Sequence, residues 1–116
     1  MNAPPASPAV MSYKSTPVFD ETTLPAGLRR EHRTKAGVWG IIRVLDGRVR
    51  YRILNPVSET ILDSQHPGLV LPDQPHFVEP LGPIRMQVEF YDRMPDLSLD
   101  WYQDPSRQSS QAVGPR

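Results

Sequence analysis

Apolar and polar positions alternate with a period of two along two stretches of this chain, the pattern of strands that turn one face to a core and the other to water. In the first stretch Val49, Tyr51 and Ile53 fall on one face and Arg48, Arg50 and Arg52 on the other. In the second, Ile84, Met86, Val88 and Phe90 share a face opposite Arg85, Gln87, Glu89 and Tyr91. Ahead of the arginine-rich strand, residues 38–45 are almost wholly apolar, and Asp46-Gly47 is a strong short hairpin signal, so 38–53 reads as two strands around a tight turn. Thr60-Ile61-Leu62 and His76-Phe77-Val78-Glu79 predict further short strands. Breaks fall at Asn55-Pro56, His66-Pro67-Gly68, Pro72-Asp73-Gln74-Pro75 and Pro80-Leu81-Gly82-Pro83. Short strands about 8–12 residues apart with Gly and Pro between them describe an all-β sandwich or barrel. Pro25 and Gly27 make 22–30 irregular rather than helical.

Composition narrows this picture. A chain of 116 residues supports one small core, and 14 prolines against 7 glycines argue against long helices. The absence of cysteine excludes disulfides, thiolate metal sites and a cysteine nucleophile. The start has neither a basic region nor an apolar stretch of signal type, which predicts a cytoplasmic protein. Residues 1–11, rich in Pro and Ala, read as a flexible leader, 12–93 as the domain and 94–116 as a mostly flexible tail. Within that tail Leu97, Leu99 and Trp101 alternate with polar residues, and whether 94–102 is ordered stays open.

Basic and acidic residues balance at 13 each, so no global field attracts nucleic acid or an anionic membrane. The zero sum hides an asymmetry. Residues 29–52 hold eight basic side chains against Glu31 and Asp46, whereas 53–104 hold nine acidic side chains against Arg85 and Arg93. Arg48, Arg50 and Arg52 are therefore a candidate anion surface, with pairing to acids on a neighbouring strand as the stronger alternative. No Gly-x-Ser-x-Gly elbow and no phosphate-cradling P-loop occur, which removes two common catalytic frameworks and a nucleotide cofactor.

Pro67-Gly68, Pro72 and Pro75-His76 resemble the second cupin motif, and Val44-Leu45-Asp46-Gly47-Arg48-Val49 resembles the glycine turn that closes the first. His32-Arg33-Thr34-Lys35-Ala36-Gly37-Val38-Trp39-Gly40, with Leu24-Pro25-Ala26-Gly27-Leu28 before it and Val88-Glu89-Phe90-Tyr91 at the end, is similar to the small cupin-like TehB/YeaR-like family associated with tellurite resistance. The resemblance runs from about Tyr13 to Tyr91 and implies a single cupin-type jelly-roll. It also implies a divalent metal (zinc, iron, nickel or manganese) held by His32 and His76, the two positions that match the motifs. Glu89 is the third candidate ligand, and an inward Glu89 requires the strand face opposite Val88 and Phe90 to line the cavity. The first motif departs from the usual His-x-His pair, since Thr34 stands two residues after His32. In TehB such a domain precedes a methyltransferase; methyl transfer is not implied for these 116 residues.

Thr34 and Trp39 are candidates for the wall of a ligand pocket, with Gly37 and Gly40 allowing close backbone approach. His66, in a turn, is expected to face solvent. The leading expectation is a metal-binding cupin-like protein that takes a small molecule or oxyanion in its barrel. A metal-dependent dioxygenase or isomerase and a metal-free, homodimeric binding module are the alternatives; neither nucleic acid nor a membrane is expected as a partner.

Overall fold

The structure, a computed structural model, describes residues 11–95. Apart from Met11, Met94 and Pro95, the leader and the tail, including the alternation at Leu97, Leu99 and Trp101, lie outside the described residues. Eight strands follow in order: β1 (Lys14–Ser15), β2 (Phe19–Asp20), β3 (Trp39–Asp46), β4 (Val49–Leu54), β5 (Val57–Leu62), β6 (Gly68–Val70), β7 (His76–Pro80) and β8 (Arg85–Tyr91). A single 3-10 turn, Ala26–Arg29, is the helical content of the 22–30 stretch. No helix among the described residues is long and apolar enough to cross a membrane.

Two antiparallel sheets face each other as a sandwich, as the all-β expectation required. One runs β1-β8-β3-β6, with β2 also paired to β8; the other runs β5-β4-β7. In β3, Gly40, Ile42 and Val44 sit opposite Phe90, Val88 and Met86 of β8, so the inner face of the larger sheet is that of the second alternating stretch. Val49 and Tyr51 of β4 face it from the smaller sheet with Leu62 and Val78. Val49, Leu62, Val70 and Met86 are almost wholly excluded from water. Each such side chain contributes about 1.5–3 kcal/mol of burial free energy.

The Asp46-Gly47 expectation needs correction. β3 and β4 do follow one another through a tight turn, but they do not pair; they belong to opposite sheets. Gly47 is the corner between the sheets, with φ +78°, and a Cβ there would fall inside the van der Waals envelope of the Pro83 carbonyl and close to Ile84. The two-residue hairpin lies instead at Asn55-Pro56, which joins β4 to β5 with Leu54 opposite Val57 and a cis peptide at the proline.

The outer edge of β8 is covered in two pieces because Pro17 has no amide hydrogen to donate. Lys14 and Ser15 pair with Phe90 and Glu89, and Phe19 and Asp20 with Met86 and Arg85. Between them Thr16 exchanges both bonds with Val88: its amide donates to the Val88 carbonyl and its hydroxyl accepts from the Val88 amide (2.9 and 3.0 Å). β2 then ends in a polar turn. Hydrogen bonds from the Thr22 hydroxyl, and from the Thr22 and Thr23 amides, hold the Asp20 carboxyl down to about 2.

Candidate ligand pocket

His76 opens β7 and faces inward, on the same side of the strand as Val78. His32 forms an isolated antiparallel bridge with it on the free edge of β7, each amide donating to the other residue's carbonyl at 3.0 and 2.9 Å. Directly opposed residues of an antiparallel pair present their side chains on one face. The two imidazoles consequently lie together, with ring centroids 4.1 Å apart and planes tilted by 59°. The Tyr51 ring meets His76 edge-on at 5.8 Å, and its hydroxyl crosses between the sheets to donate to the Leu69 carbonyl at 2.7 Å. Burial pushes that hydroxyl's pKa well above the ordinary tyrosine range.

Each imidazole has its Nδ1 against a backbone carbonyl, His32 at Arg30 (3.1 Å) and His76 at Gln74 (2.8 Å). Carbonyl oxygens only accept, so Nδ1 is the donor in each ring, and Nε2 has no hydrogen-bond partner among the described residues. His76 is 3% exposed. Burial is the main influence that pushes its pKa below the usual histidine value; the Gln74 carbonyl opposes this, and the neighbouring His32 reinforces it.

Both rings line a cavity of ≈ 370 Å³ at one end of the sandwich. Its floor is aliphatic and deeply buried: Ile42, Val70, Val78, Met86 and Val88, with Phe90 beside them. Its mouth is polar and basic, formed by Tyr13, Lys14 and Thr16 from the N-terminal edge and by Arg33, Thr34 and Lys35. Lys14 reaches this face because it is registered with Phe90. Thr34 lines the cavity, and it also fixes the loop there. Its hydroxyl donates to the Val38 carbonyl at 2.8 Å, and its own carbonyl accepts from the Asp73 amide at 3.1 Å. No aspartate or glutamate among the described residues lines the cavity.

Glu89 and Trp39 are elsewhere. Val88 and Phe90 point into the cavity, so Glu89 between them points out, where Arg43 Nε lies 3.0 Å from its Oε1 and the Tyr91 hydroxyl donates to it at 2.9 Å. Trp39 shares that outer face, two residues before Ile41 and opposite Tyr91, while Val38 takes the pocket position. The arginines of β4 follow the pairing alternative. Arg50 lies 3.1 Å from Glu79 and 3.5 Å from Glu59, and Arg52 lies 3.5 Å from Glu59, so both charges are offset by neighbouring strands; Arg48 is exposed. His66 is exposed and bonded to Asp63 at 2.7 Å. Sequence reasoning missed Lys14, Thr16 and Lys35, and for the first two no local signal could have served, because β1 finds its partner more than seventy residues away.

The donor set does not fit a resident divalent metal. Zinc-type centres take three or more protein ligands, whereas two imidazoles converge here, the expected third ligand faces the other way, and no group of three or more His, Asp or Glu side chains among the described residues could hold an ion. Lys14, Arg33 and Lys35 at the mouth further oppose a cation.

These features define a small two-sheet β-sandwich with an apolar end pocket under a basic rim. Residues 14–88 match the TehB-like domain family, and the chain belongs to it. Two curated relatives, each a probable S-adenosyl-L-methionine-dependent methyltransferase TehB from a strain of Haemophilus influenzae, are 30% and 31% identical over 78 residues. The match takes in 63% of this chain and 27% of each relative, so the chain spans about a quarter of their length. The crystal structure of TehB from Haemophilus influenzae superposes with a TM-score of 0.65 at 30% identity, covering 72% of this chain and 31% of that one. A crystal structure of an E. coli K12 protein superposes with a TM-score of 0.67, covering 83% of this chain and 100% of the other; at 22% identity it shares the fold alone.

Proposed function

We propose that this chain is a binding module whose end pocket takes a small anionic molecule. One observation carries the reading: the cationic side chains lining the cavity are Lys14, Arg33 and Lys35, and no carboxylate among the described residues lines it. An anion entering there meets positive charge and hydrogen-bond donors, and a cation meets repulsion. The association of the family with tellurite resistance makes an oxyanion one candidate and an organic carboxylate the other. Methyl transfer belongs to relatives of which this chain covers only the small domain, and its pocket has no need of that chemistry to bind a ligand.

Thermal-shift and calorimetric titration of the chain with tellurite, phosphate, benzoate and octanoate, at low ionic strength, tests the reading. At least one of these anions should stabilise the protein, and the charge-reversed Lys14→Glu/Lys35→Glu variant should weaken its binding at least tenfold. Both residues are exposed, so the variant should keep the wild-type fold by circular dichroism. Binding of none of the four, or equal binding by the variant, overturns it.

A further inference from the structure

The cavity changes character from mouth to floor, and that gradient specifies more than charge. Ile42, Val70, Val78 and Met86 are each at most 2% exposed, and His76 is the one polar side chain that reaches their depth. A compact, strongly hydrated oxyanion would shed its water there and gain no bonds from aliphatic carbon in return. At the mouth the situation reverses. Arg33 is already engaged by Asp73 at 3.2 Å and Glu31 at 3.7 Å, but Lys14 and Lys35 have no carboxylate within ion-pair distance among the described residues. The His32 and His76 Nε2 atoms have no hydrogen-bond partner among the described residues.

From this gradient, and resting on the anion-binding reading above, we propose that the ligand is an amphiphilic monocarboxylate of medium length. Its carboxylate stays at the Lys14/Lys35 mouth, and its hydrocarbon body lies on the floor between the two sheets. Burying that body adds hydrophobic free energy in proportion to the apolar area covered, which a bare oxyanion cannot gain. The size follows from the volume. A cavity of ≈ 370 Å³ sits at the small end of the range for ligand sites, roughly 300–1,000 Å³, and suits an octanoate-sized molecule better than a long-chain fatty acid.

The test is calorimetric titration of the full chain with octanoate, butyrate, octanol and tellurite, paired with NMR of the Met86 methyl group. Octanoate should bind at least tenfold more tightly than butyrate, octanol or tellurite. It should shift the Met86 methyl resonance, and Lys35→Glu should weaken it about tenfold while leaving the fold intact. Butyrate equal to octanoate removes the role of the floor, and octanol equal to octanoate removes the role of the mouth; either result overturns the proposal. Tight tellurite binding without octanoate binding also overturns it and leaves the anion-binding reading standing. Failure of every anion sinks both.

Discussion

Replacing Gly47 by alanine should unfold this domain more readily than any other single methyl group added to a glycine turn, and two further glycines make the effect separable. Gly37 has φ +80° and open space where a Cβ would go, so Gly37→Ala isolates the cost of a left-handed backbone, about 1 kcal/mol. Gly27 has open space and no left-handed φ, and Gly27→Ala should change stability by less than about 0.5 kcal/mol. Gly47 combines φ +78° with the Pro83 carbonyl and Ile84 in the path of the new methyl. The obstruction is largely backbone, so relief requires the corner or the 81–83 segment to move, at about 2 kcal/mol beyond the φ term. The sum is about 3 kcal/mol. Urea unfolding followed by fluorescence should show the midpoint falling by roughly 1–3 M with an unchanged slope. A Gly47→Ala midpoint no lower than that of Gly37→Ala would refute the corner packing on which the two-sheet connection rests.

Other consequences are as direct. Tyr51→Phe should cost about 1–2 kcal/mol in the same urea assay, because it leaves the Leu69 carbonyl without the hydroxyl that bonds it at 2.7 Å. His76 has its pKa lowered in the fold, so the unfolded chain binds the proton first; stability should be full above about pH 6.5 and fall as pH drops through the folded value. Thermal melts of wild type and His76→Gln from pH 8 to 4 should show a smaller acid-side decline in the variant. Glu89→Gln should leave octanoate binding within twofold of wild type by calorimetry, yet lower stability by about 1 kcal/mol through the Arg43 contact on the outer face. Glu79→Gln should cost less than about 1 kcal/mol, and that loss should shrink in 1 M salt, since its pairing with Arg50 is half exposed.

The strands were legible where a two-residue period has only one physical reading. Both β4 and β8 bury the side chains that alternation assigned to the core, down to Val49, Tyr51, Met86 and Val88. That same period also placed Trp39 and Glu89 outward, since Gly40, Ile42, Val88 and Phe90 occupy the inner face. Glu89 is drawn toward the site by its place on the last strand, against its own parity, and Trp39 by the neighbouring Gly37 and Gly40. The Asp46-Gly47 signal failed for another reason: a glycine with positive φ marks a sharp reversal of the chain, but which sheet receives the next strand is a matter of tertiary packing, and the corner packs against Pro83 and Ile84, more than thirty-five residues away in sequence. Charge patterning carried topology, since pairing of the β4 arginines with acids on neighbouring strands is the stronger expectation and the contacts of Arg50 and Arg52 with Glu79 and Glu59 provide it. The basic 29–52 and acidic 53–104 segments are joined across strands by Arg43–Glu89, Arg50–Glu79 and Arg52–Glu59, and between loops by Arg33–Asp73.

The corner at Gly47 also governs what can be cut from this protein. The larger sheet is assembled from 14–20, 39–46, 68–70 and 85–91, and the smaller from 49–62 and 76–80, so the chain visits the two sheets in turn. β8 is central to the larger sheet yet comes last among the eight strands. A ribosome must therefore have released nearly the whole module before its middle strand exists, and any fragment that stops short of Arg85 would leave β1, β2 and β3 without their shared partner. Such an architecture can be spliced onto another protein intact, but it offers no smaller unit for recombination to borrow.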